Sequence, residues 1–402
     1  MATMTTGRNL PKLPIYLDYQ STTPVDPRVM ATMLPYFTVK FGNPHSTSHS
    51  HGREVADAVE AARGQVARLI GADEREIIFT SGATESNNLA IKGAVRFPGQ
   101  HRKRVVTVVT EHKCVLESVK RLGEEGHETV FLPVKRDGLV DLGELAAALT
   151  EDTALLSVMA ANNEIGVVQP LAEIGALCKA KGVLFHTDAA QAVGKVPIHV
   201  ESMHIDLLSI SGHKIYGPKG IGALYVRRRP RVRLDPLFDG GAQERGIRSG
   251  TLPAPLCIGL GEACAIAAAE MAVEGERLHA LRDRLLKGLR AALPDIVVNG
   301  DMDHRLPGNL NVGFPQLSGQ ALLAEVPELS LSLGSACTSA AVEPSYVLRA
   351  LGLPDDLANA SIRIGLGRMT SVAEVDFAVE HLAAAVRKLR QGAPLQTGAP
   401  AA

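Results

Sequence analysis

Short apolar runs alternate with longer Ala-rich amphipathic segments between about residues 76 and 226. The runs are rich in β-branched residues and predict strands at residues 76–80, 104–109, 154–159, 183–187, 205–211 and 221–226. The segments between them, such as 115–125 and Leu171–Lys181, have helical spacing. Strands that are apolar throughout are covered on both faces, so the pattern predicts an α/β fold with a mostly parallel sheet between helices. A Pro-Lys-Gly turn at residues 218–220 favours an antiparallel last pair of strands.

The pattern changes after Thr251. Two helical runs at residues 255–275 and 276–293 are followed by short strands at 309–314 and 361–365 and by a closing helix at 372–390. This order is typical of a smaller α+β domain. We therefore expect a large α/β domain over residues 26–254 and a small domain over 255–390, with segment 14–25 packing on the small one. The Pro/Gly/Ala-rich stretch 391–402 predicts a flexible tail.

Composition and charge exclude several classes of protein. The chain has 402 residues, of which 46% are hydrophobic and 21% charged, as in an ordinary globular protein. Lys+Arg (42) and Asp+Glu (43) nearly cancel, so we expect no nucleic-acid partner and no anionic membrane surface as a partner. The most apolar stretch, residues 256–273, is interrupted by Glu262 and Glu270, and residues 1–13 lack the apolar core of a signal peptide.

The number and spacing of the cysteines indicate the redox state of the compartment that contains the protein. There are five, at positions 114, 178, 257, 264 and 337, and they form neither a CxxC pair nor a Cys/His zinc pattern. An odd number of scattered cysteines favours a reducing compartment, so we expect a cytoplasmic protein without a metal site.

Lys214 stands in the most informative local motif, Ser-Gly-His-Lys-Ile-Tyr-Gly-Pro-Lys-Gly at residues 211–220. The motif follows a predicted buried strand, which places Lys214 at the carboxyl edge of the sheet, where open α/β folds bind ligands. An amine in such a crevice can form a Schiff base with a carbonyl compound. A lone lysine in a turn is more often a plain surface residue, so the interpretation depends on its neighbours.

Four other predicted strands also end in polar residues. Asp188 ends one of them, and a carboxylate there either faces a heterocyclic nitrogen or caps the next helix. Gly82 and Thr84 open a helix whose backbone N–H groups can bind an anion. His112 and Asn163 follow two further strands. Carboxyl ends of parallel strands meet at one edge, so the pattern predicts a polar site there.

Together these segments resemble the cysteine desulfurases, which are class-V aminotransferase-like enzymes of fold type I that use pyridoxal 5′-phosphate (PLP). The resemblance runs from residue 17 to the last helix and is closest to the group that supplies sulfur for iron–sulfur clusters. The matching segments are LDYQSTTPVDPRV, TSGATESNN, TEHK, NNEIGVVQP, TDAAQAVGK, SGHKIYGPKG, RGIRSGT, GSACTSA and EPSYVLRALG.

The resemblance implies roles for residues around the cofactor. Lys214 would carry PLP covalently, Asp188 would pair with the ring nitrogen, and Gln191 with the phenolic oxygen. His112 would stack on the ring and relay protons. Further cofactor contacts are implied for Ala83, Thr84, Ser211, His213, Asn163 and Thr251.

Within that set, the resemblance implies that Thr84, Ser211 and His213 bind the phosphate of the cofactor. It also implies a homodimer in which Thr251 contacts the cofactor of the partner subunit. Arg363, in SIRIG, would bind the substrate carboxylate, assisted by Asn163. A guanidinium fork matches a carboxylate in two parallel hydrogen bonds, which makes arginine a suitable residue type there.

Cys337 is the predicted nucleophile. Its neighbours, GSACTSA, are small and have no apolar periodicity, which predicts a mobile loop. The resemblance makes Cys337 the thiol that collects sulfur. We expect the other four cysteines to be structural, with Cys114 the one close to the site because it follows TEHK.

The implied reaction converts L-cysteine to L-alanine and leaves the sulfur as a persulfide on Cys337, for an acceptor such as an iron–sulfur cluster scaffold. Selenocysteine lyase and class-V aminotransferase are the related alternatives, although a transaminase has no need of a mobile thiol. A non-catalytic sulfur-carrier scaffold is the alternative from another class. It would require the loss of Lys214, Asp188 or Cys337, and all three are present.

Overall fold

The computed structural model describes residues 11–334 and 343–392. The strands within these residues are β1 (Ile15–Tyr16), β2 (Ile77–Thr80), β3 (Arg104–Val108), β4 (Glu128–Leu132), β5 (Thr153–Ser157), β6 (Leu184–Asp188), β7 (Leu207–Ser211), β8 (Gly222–Val226), β9 (Val297–Val298), β10 (Asn309–Gly313), β11 (Leu329–Ser330), β12 (Ser332–Leu333) and β13 (Ser361–Gly365).

The helices of the same residues are α1 (Pro27–Met33), α2 (Pro35–Thr38), α3 (Ser50–Ile70), α4 (Ala83–Arg96), α5 (Lys113–Glu124), α6 (Leu142–Ala148), α7 (Leu171–Lys181), α8 (Ala254–Ala292), α9 (Gly319–Glu325), α10 (Tyr346–Ala350), α11 (Asp355–Asn359) and α12 (Val372–Gly392). Short 3-10 turns occur at Glu74–Glu76, Gly212–Lys214 and Glu244–Gly246.

Contacts between Cα atoms divide the chain into two compact units. The large unit comprises Gln20–Gly275 and Gly300–Leu306, and the small unit comprises the described residues of Met1–Tyr19, Glu276–Asn299 and Pro307–Ala402. The predicted boundary at residues 254 and 255 falls at the start of α8, whereas the observed one lies inside this helix, between Gly275 and Glu276.

One further segment differs from the predicted division, and another is not described. Residues 20–25 group with the large unit, since the backbone N–H groups of Thr23 and Asp26 donate to carbonyls of the Lys214 loop. The predicted tail 391–402 lies outside the described residues from residue 393 onward.

The sheet of the large unit has the strand order β2-β8-β7-β6-β5-β3-β4 within the described residues. All neighbouring pairs are parallel except those of β8, which runs antiparallel to both β2 and β7. The six predicted strands of this region are confirmed to within two residues at each end. The α/β fold with a mostly parallel sheet is therefore confirmed.

The burial of the strands explains why the apolar pattern predicted them. The central strands β5, β7 and β8 are buried along their whole length, which requires apolar residues on both faces. The edge strand β4 was not predicted; it is half-exposed, although its sequence ETVFL contains strand-forming residues.

The small unit contains the sheet β12-β13-β10-β9, whose pairs are antiparallel, and the parallel pair of β1 with β11. Asp18 follows β1 and bridges to Gly365 at the end of β13. The predicted strands at 309–314 and 361–365 are confirmed as β10 and β13, and the closing helix as α12.

One continuous helix, α8, replaces the two helices predicted at 255–275 and 276–293. The prediction of a break at Gly275 was wrong, because one glycine inside a helix costs only about 1 kcal/mol and does not end it. By length and composition alone α8 could cross a membrane, contrary to the expectation for residues 256–273, but half of its most apolar stretch is buried inside the protein. Core helices of soluble proteins have the same property.

A buried ion pair fastens the loop before Thr251 to the sheet of the large unit. The Arg63 guanidinium donates two hydrogen bonds of 2.8 Å to the Glu244 carboxylate, and both side chains are only 3% exposed. The backbone N–H of Phe79 donates to the same carboxylate at 2.6 Å. Glu244 and Arg245 have φ angles of 46° and 60°, which are unfavourable for residues with a side chain, so this anchoring holds a strained turn in place.

Candidate active site

The candidate site of the large unit lies at the carboxyl edge of its sheet. The strands β3, β5, β6 and β7 run parallel, and their carboxyl ends therefore meet at one edge. All the predicted site residues except Arg363 and Cys337 belong to this unit. In open α/β folds this edge is where ligands bind.

Lys214 closes the 3-10 turn that follows β7 directly. Its amine donates to the backbone carbonyl oxygens of Gln20, at 2.5 Å, and Ser21, at 2.7 Å. The hydroxyl of Thr23 donates to the carbonyl of His213 at 3.0 Å, so the segment from Gln20 to Thr23 fixes this turn. The amine is thereby held at the edge of the sheet.

Gln191 shares an acceptor with Lys214. Its side-chain amide donates to the Gln20 carbonyl at 2.9 Å, and its side-chain oxygen accepts from Lys195 at 3.2 Å. Gln191 is buried, being 4% exposed. The structure therefore brings Lys214 and Gln191 together, as the sequence predicts.

Asp188 is the last residue of β6 and is 5% exposed. One carboxylate oxygen accepts from the side-chain amide of Asn87 at 2.7 Å, and the other accepts from the backbone N–H of Ala190 at 2.9 Å. These donors orient the carboxylate. Burial, and after it the Asp188 charge, raises the pKa of the fully buried Glu111 well above its ordinary value.

His112 is the N-cap residue of α5. Its Nδ1 accepts from the backbone N–H of Cys114 at 3.3 Å and lies 3.0 Å from the Cys114 sulfur. Burial lowers the pKa of His112, the Asp188 charge raises it, and the charges of Lys214 and Lys113 lower it. The net shift is downward, so the imidazole is neutral at pH 7.

The predicted phosphate residues lie around two backbone turns. Ser211 is buried at the end of β7, and the Nδ1 of His213 lies 3.0 Å from the Thr22 hydroxyl. Burial, helped by neighbouring lysines, lowers the pKa of His213 to about 4, so its ring is neutral. Helix α4 begins with Ala83 and Thr84 after an N-cap glycine, Gly82, whose φ is 152°.

Gly82 has no side chain to cap the helix, so the start of α4 suits an anion. Asn163 follows β5 at the same edge and is partly buried. Thr251 is exposed and precedes α8. Its predicted contribution to a second subunit stays a prediction.

The donor set fits PLP. A buried carboxylate, Asp188, suits a protonated ring nitrogen, and the amine of Lys214 suits an aldehyde. A neutral imidazole and the uncapped start of α4 suit a ring face and a phosphate. The large unit thus holds a group for each part of the cofactor.

Arg363 lies in the small unit, in the middle of β13 between β10 and β12. Its side chain is 2% exposed and donates to the Asp18 carboxylate at 2.8 Å. The predicted binding of a substrate carboxylate stays a prediction, and Asp18 is the anion that the substrate would join or replace. Cys337 lies outside the described residues.

The sequence analysis missed a hydrogen-bonded chain behind the site. Asn87 is fully buried, and its side-chain amide donates both to Asp188 and, at 3.1 Å, to the sulfur of Cys114. Asn87 stands inside the segment TSGATESNN but received no role. The available signal was that both it and Cys114 lie within the first five residues of helices that begin at the carboxyl edge of the sheet.

Comparisons with known proteins agree with this site. The profile of the aminotransferase class-V family matches residues 15–377. Cysteine desulfurase IscS of Rickettsia bellii is 56% identical over 98% of this chain and 96% of its own.

Two solved structures are also similar. A NifS-like protein has a TM-score of 0.87 at 35% identity, covering 93% of this chain and all of the other. SspA in complex with cysteine has a TM-score of 0.77 at 37% identity, covering 87% of this chain and 98% of the other.

The fold and the site define a PLP-dependent enzyme of fold type I. The chain belongs to the aminotransferase class-V family and, within it, to the cysteine desulfurases. The resemblance to the cysteine desulfurases predicted from the sequence motifs is therefore confirmed, and so is PLP as the cofactor.

Replacing Asp188 by asparagine keeps the shape of the side chain and removes its charge. We expect kcat to fall by about a hundredfold to a thousandfold, the usual cost of losing one preorganised electrostatic group. PLP should also bind more weakly, which a titration of cofactor absorbance measures. Since the Asp188 charge raises the pKa of Cys114, that pKa should fall in the variant.

The matched control is Asp206→Asn. Asp206 is partly buried and precedes β7, at the amino end of the strand, where it accepts from Phe185 N–H at 2.9 Å. This variant should lose stability and keep its kcat. Equal kcat losses in both variants would contradict the role of Asp188.

Proposed function

We propose that this enzyme converts L-cysteine to L-alanine and passes the sulfur, as a persulfide on Cys337, to an acceptor protein for iron–sulfur cluster or other sulfur-cofactor synthesis. The observation that carries the proposal is the pairing of β6 with β7, which sets the buried carboxylate of Asp188 beside the strand that ends at the Lys214 turn. The solved structure of SspA with cysteine, a similar protein, supports L-cysteine as the substrate.

When bound, PLP supplies an electrophilic aldehyde and an electron-withdrawing ring. Asp188 keeps a proton on the ring nitrogen, because a carboxylate favours the protonated form of its partner. The Lys214 amine would hold the aldehyde of the cofactor and, when free, would take the proton from the substrate Cα and return it later as a general acid. Arg363 binds the substrate carboxylate and so orients the Cα–H bond.

The sulfur step belongs to Cys337. Its thiolate attacks the sulfur of the substrate, so that an S–S bond forms while the Cβ–S bond breaks. The electron pair of the Cβ–S bond stays with the carbon skeleton, which takes up protons and leaves as L-alanine. Cys337 is then a persulfide, and a second thiolate on the acceptor takes its outer sulfur.

Assembly and location complete the proposal. We infer a homodimer in which Thr251 of each chain contributes to the partner's site, supported by its exposed position at the start of α8. The acceptor is a protein thiol, such as that of an iron–sulfur cluster scaffold. A cytoplasmic location is supported by Cys114, Cys178, Cys257 and Cys264, which are all free thiols.

The test is incubation of the purified holoenzyme with L-cysteine. Alanine should form in step with sulfide when a reductant is present, and without reductant a persulfide should be trapped and mapped to Cys337 by mass spectrometry. Faster turnover of selenocysteine with no persulfide would instead indicate a selenocysteine lyase. Transfer of the amino group to a 2-oxo acid without loss of sulfur would indicate an aminotransferase.

A further inference from the structure

Cys114 contacts the proposed proton relay. Its sulfur lies 3.0 Å from Nδ1 of His112 and accepts from the side-chain amide of Asn87 at 3.1 Å. The same amide donates to Asp188 at 2.7 Å. A chain of hydrogen bonds thus runs from Asp188 through Asn87 and Cys114 to His112.

The direction of each bond in this chain follows from its chemistry. An amide nitrogen only donates, so the Cys114 sulfur is the acceptor towards Asn87. Burial and the Asp188 charge raise the pKa of Cys114 to about 12, so the thiol keeps its proton at neutral pH. The S–H group is therefore available as a donor towards Nδ1 of His112, 3.0 Å away.

Nδ1 of His112 receives a second donor from the backbone. The backbone N–H of Cys114 donates to Nδ1 at 3.3 Å, as expected where a side chain caps a helix. An imidazole nitrogen that accepts hydrogen bonds carries no proton. The single proton of the neutral ring must then be on Nε2.

We propose that Cys114 is a positioning residue that holds His112 as the Nε2–H tautomer, so that the ring exchanges its proton through Nε2 alone. The two local donors converge on Nδ1, and protonation there would break both hydrogen bonds. The thiol works through His112 and does not itself collect sulfur. This role deepens the proposed function, on which its catalytic meaning rests.

The charged groups that face His112 come from several elements. Asp188 ends β6, Lys214 follows β7, and Lys113 is its neighbour in α5. Their effects on the pKa of His112 oppose each other, since the carboxylate raises it and both lysines lower it. A substitution at Cys114 leaves all three charged groups in place, so a change in the pKa of His112 reports the loss of the thiol's hydrogen bonds and not of a charge.

The test compares wild type with Cys114→Ala and Cys114→Ser in the holoenzyme without substrate. Histidine is labelled with 13C, and the Cδ2 shift of His112, assigned by its loss in His112→Gln, reports tautomer and pKa. Wild type and Cys114→Ser should show Nε2–H, because a hydroxyl also donates. Cys114→Ala should mix the tautomers and raise the pKa of His112 by about half to one pH unit, the size expected for one lost hydrogen bond.

The matched control is Cys178→Ala, which removes another buried thiol, in α7. It should leave the His112 shift unchanged. An Nδ1–H tautomer in wild type would overturn the proposal, as would a Cys114→Ala spectrum equal to that of wild type or an equal shift in Cys178→Ala. The readout needs no substrate, so failure of the proposed reaction would not affect it.

The kinetic consequence is measured separately. In a plot of kcat/KM for L-cysteine against pH, the acid limb should move to higher pH in Cys114→Ala by the same half to one unit. In Cys114→Ser the acid limb should stay at its wild-type position. A loss of kcat with no movement of the limb would show a structural role and contradict the proposal.

Discussion

Replacing Lys214 by alanine is expected to abolish covalent attachment of PLP and to reduce alanine formation by at least about 10⁴-fold. The residue has two functions, as the amine that binds the aldehyde and as the base at Cα, and general acid–base catalysis alone contributes up to about 10⁴-fold. Borohydride reduction followed by mass spectrometry should find no PLP on the variant, whereas the wild type should carry it on Lys214.

The same substitution removes a positive charge from the site. The Lys214 charge lowers the pKa of both His112 and His213, so both pKa values should rise in the variant. Lys219→Ala is the matched control, because Lys219 stands in the same motif but is exposed. It should keep full activity and full cofactor loading. A PLP adduct that survives in Lys214→Ala would show that another lysine binds the cofactor.

Replacing Cys337 by serine is expected to reduce sulfur transfer from L-cysteine by at least about a hundredfold, because a hydroxyl cannot accept a sulfur atom as a thiolate does. Cofactor loading and its absorption spectrum should stay unchanged. Alanine and sulfide formation, measured together in the presence of a reductant, give the comparison.

The other thiols provide the contrast. Burial raises the pKa of Cys114, Cys178 and Cys264 to about 12 and raises that of Cys257 as well, so these thiols should resist alkylation at neutral pH. Limited iodoacetamide treatment should therefore modify Cys337 first and remove activity in proportion. Cys178→Ala should transfer sulfur at the wild-type rate. Wild-type activity in Cys337→Ser would refute the assignment of the nucleophile.

Much of the large unit could be predicted from sequence because its central strands are buried on both faces. A continuous apolar run followed by polar residues locates both a strand and the sheet edge, as β6 with Asp188 and β7 with the Lys214 turn show. The edge strand β4 was missed although its sequence ETVFL contains an apolar run, and α8 carried a glycine that looked like a break.

Contacts between distant parts of the sequence could not be predicted in the same way. Gln20 and Lys214 are 194 positions apart, and the Asn87–Asp188 bond joins residues 101 positions apart. Periodicity reports only which face of an element is buried, and the partner depends on the three-dimensional arrangement of the strands. The thiol of Cys114 was recognised as near the site, but its contact with Nδ1 needed the N-cap geometry of His112.

The ion pair of Arg63 with Glu244 constrains how the sequence can change over time. Loss of either partner leaves a desolvated charge alone and costs about 3–5 kcal/mol, and a joint exchange must also keep an acceptor for the Phe79 N–H that Glu244 now binds. A lineage must therefore alter the two codons almost together or retain both. Directed evolution that starts from single substitutions should find these two positions invariant, while paired libraries should recover functional replacements.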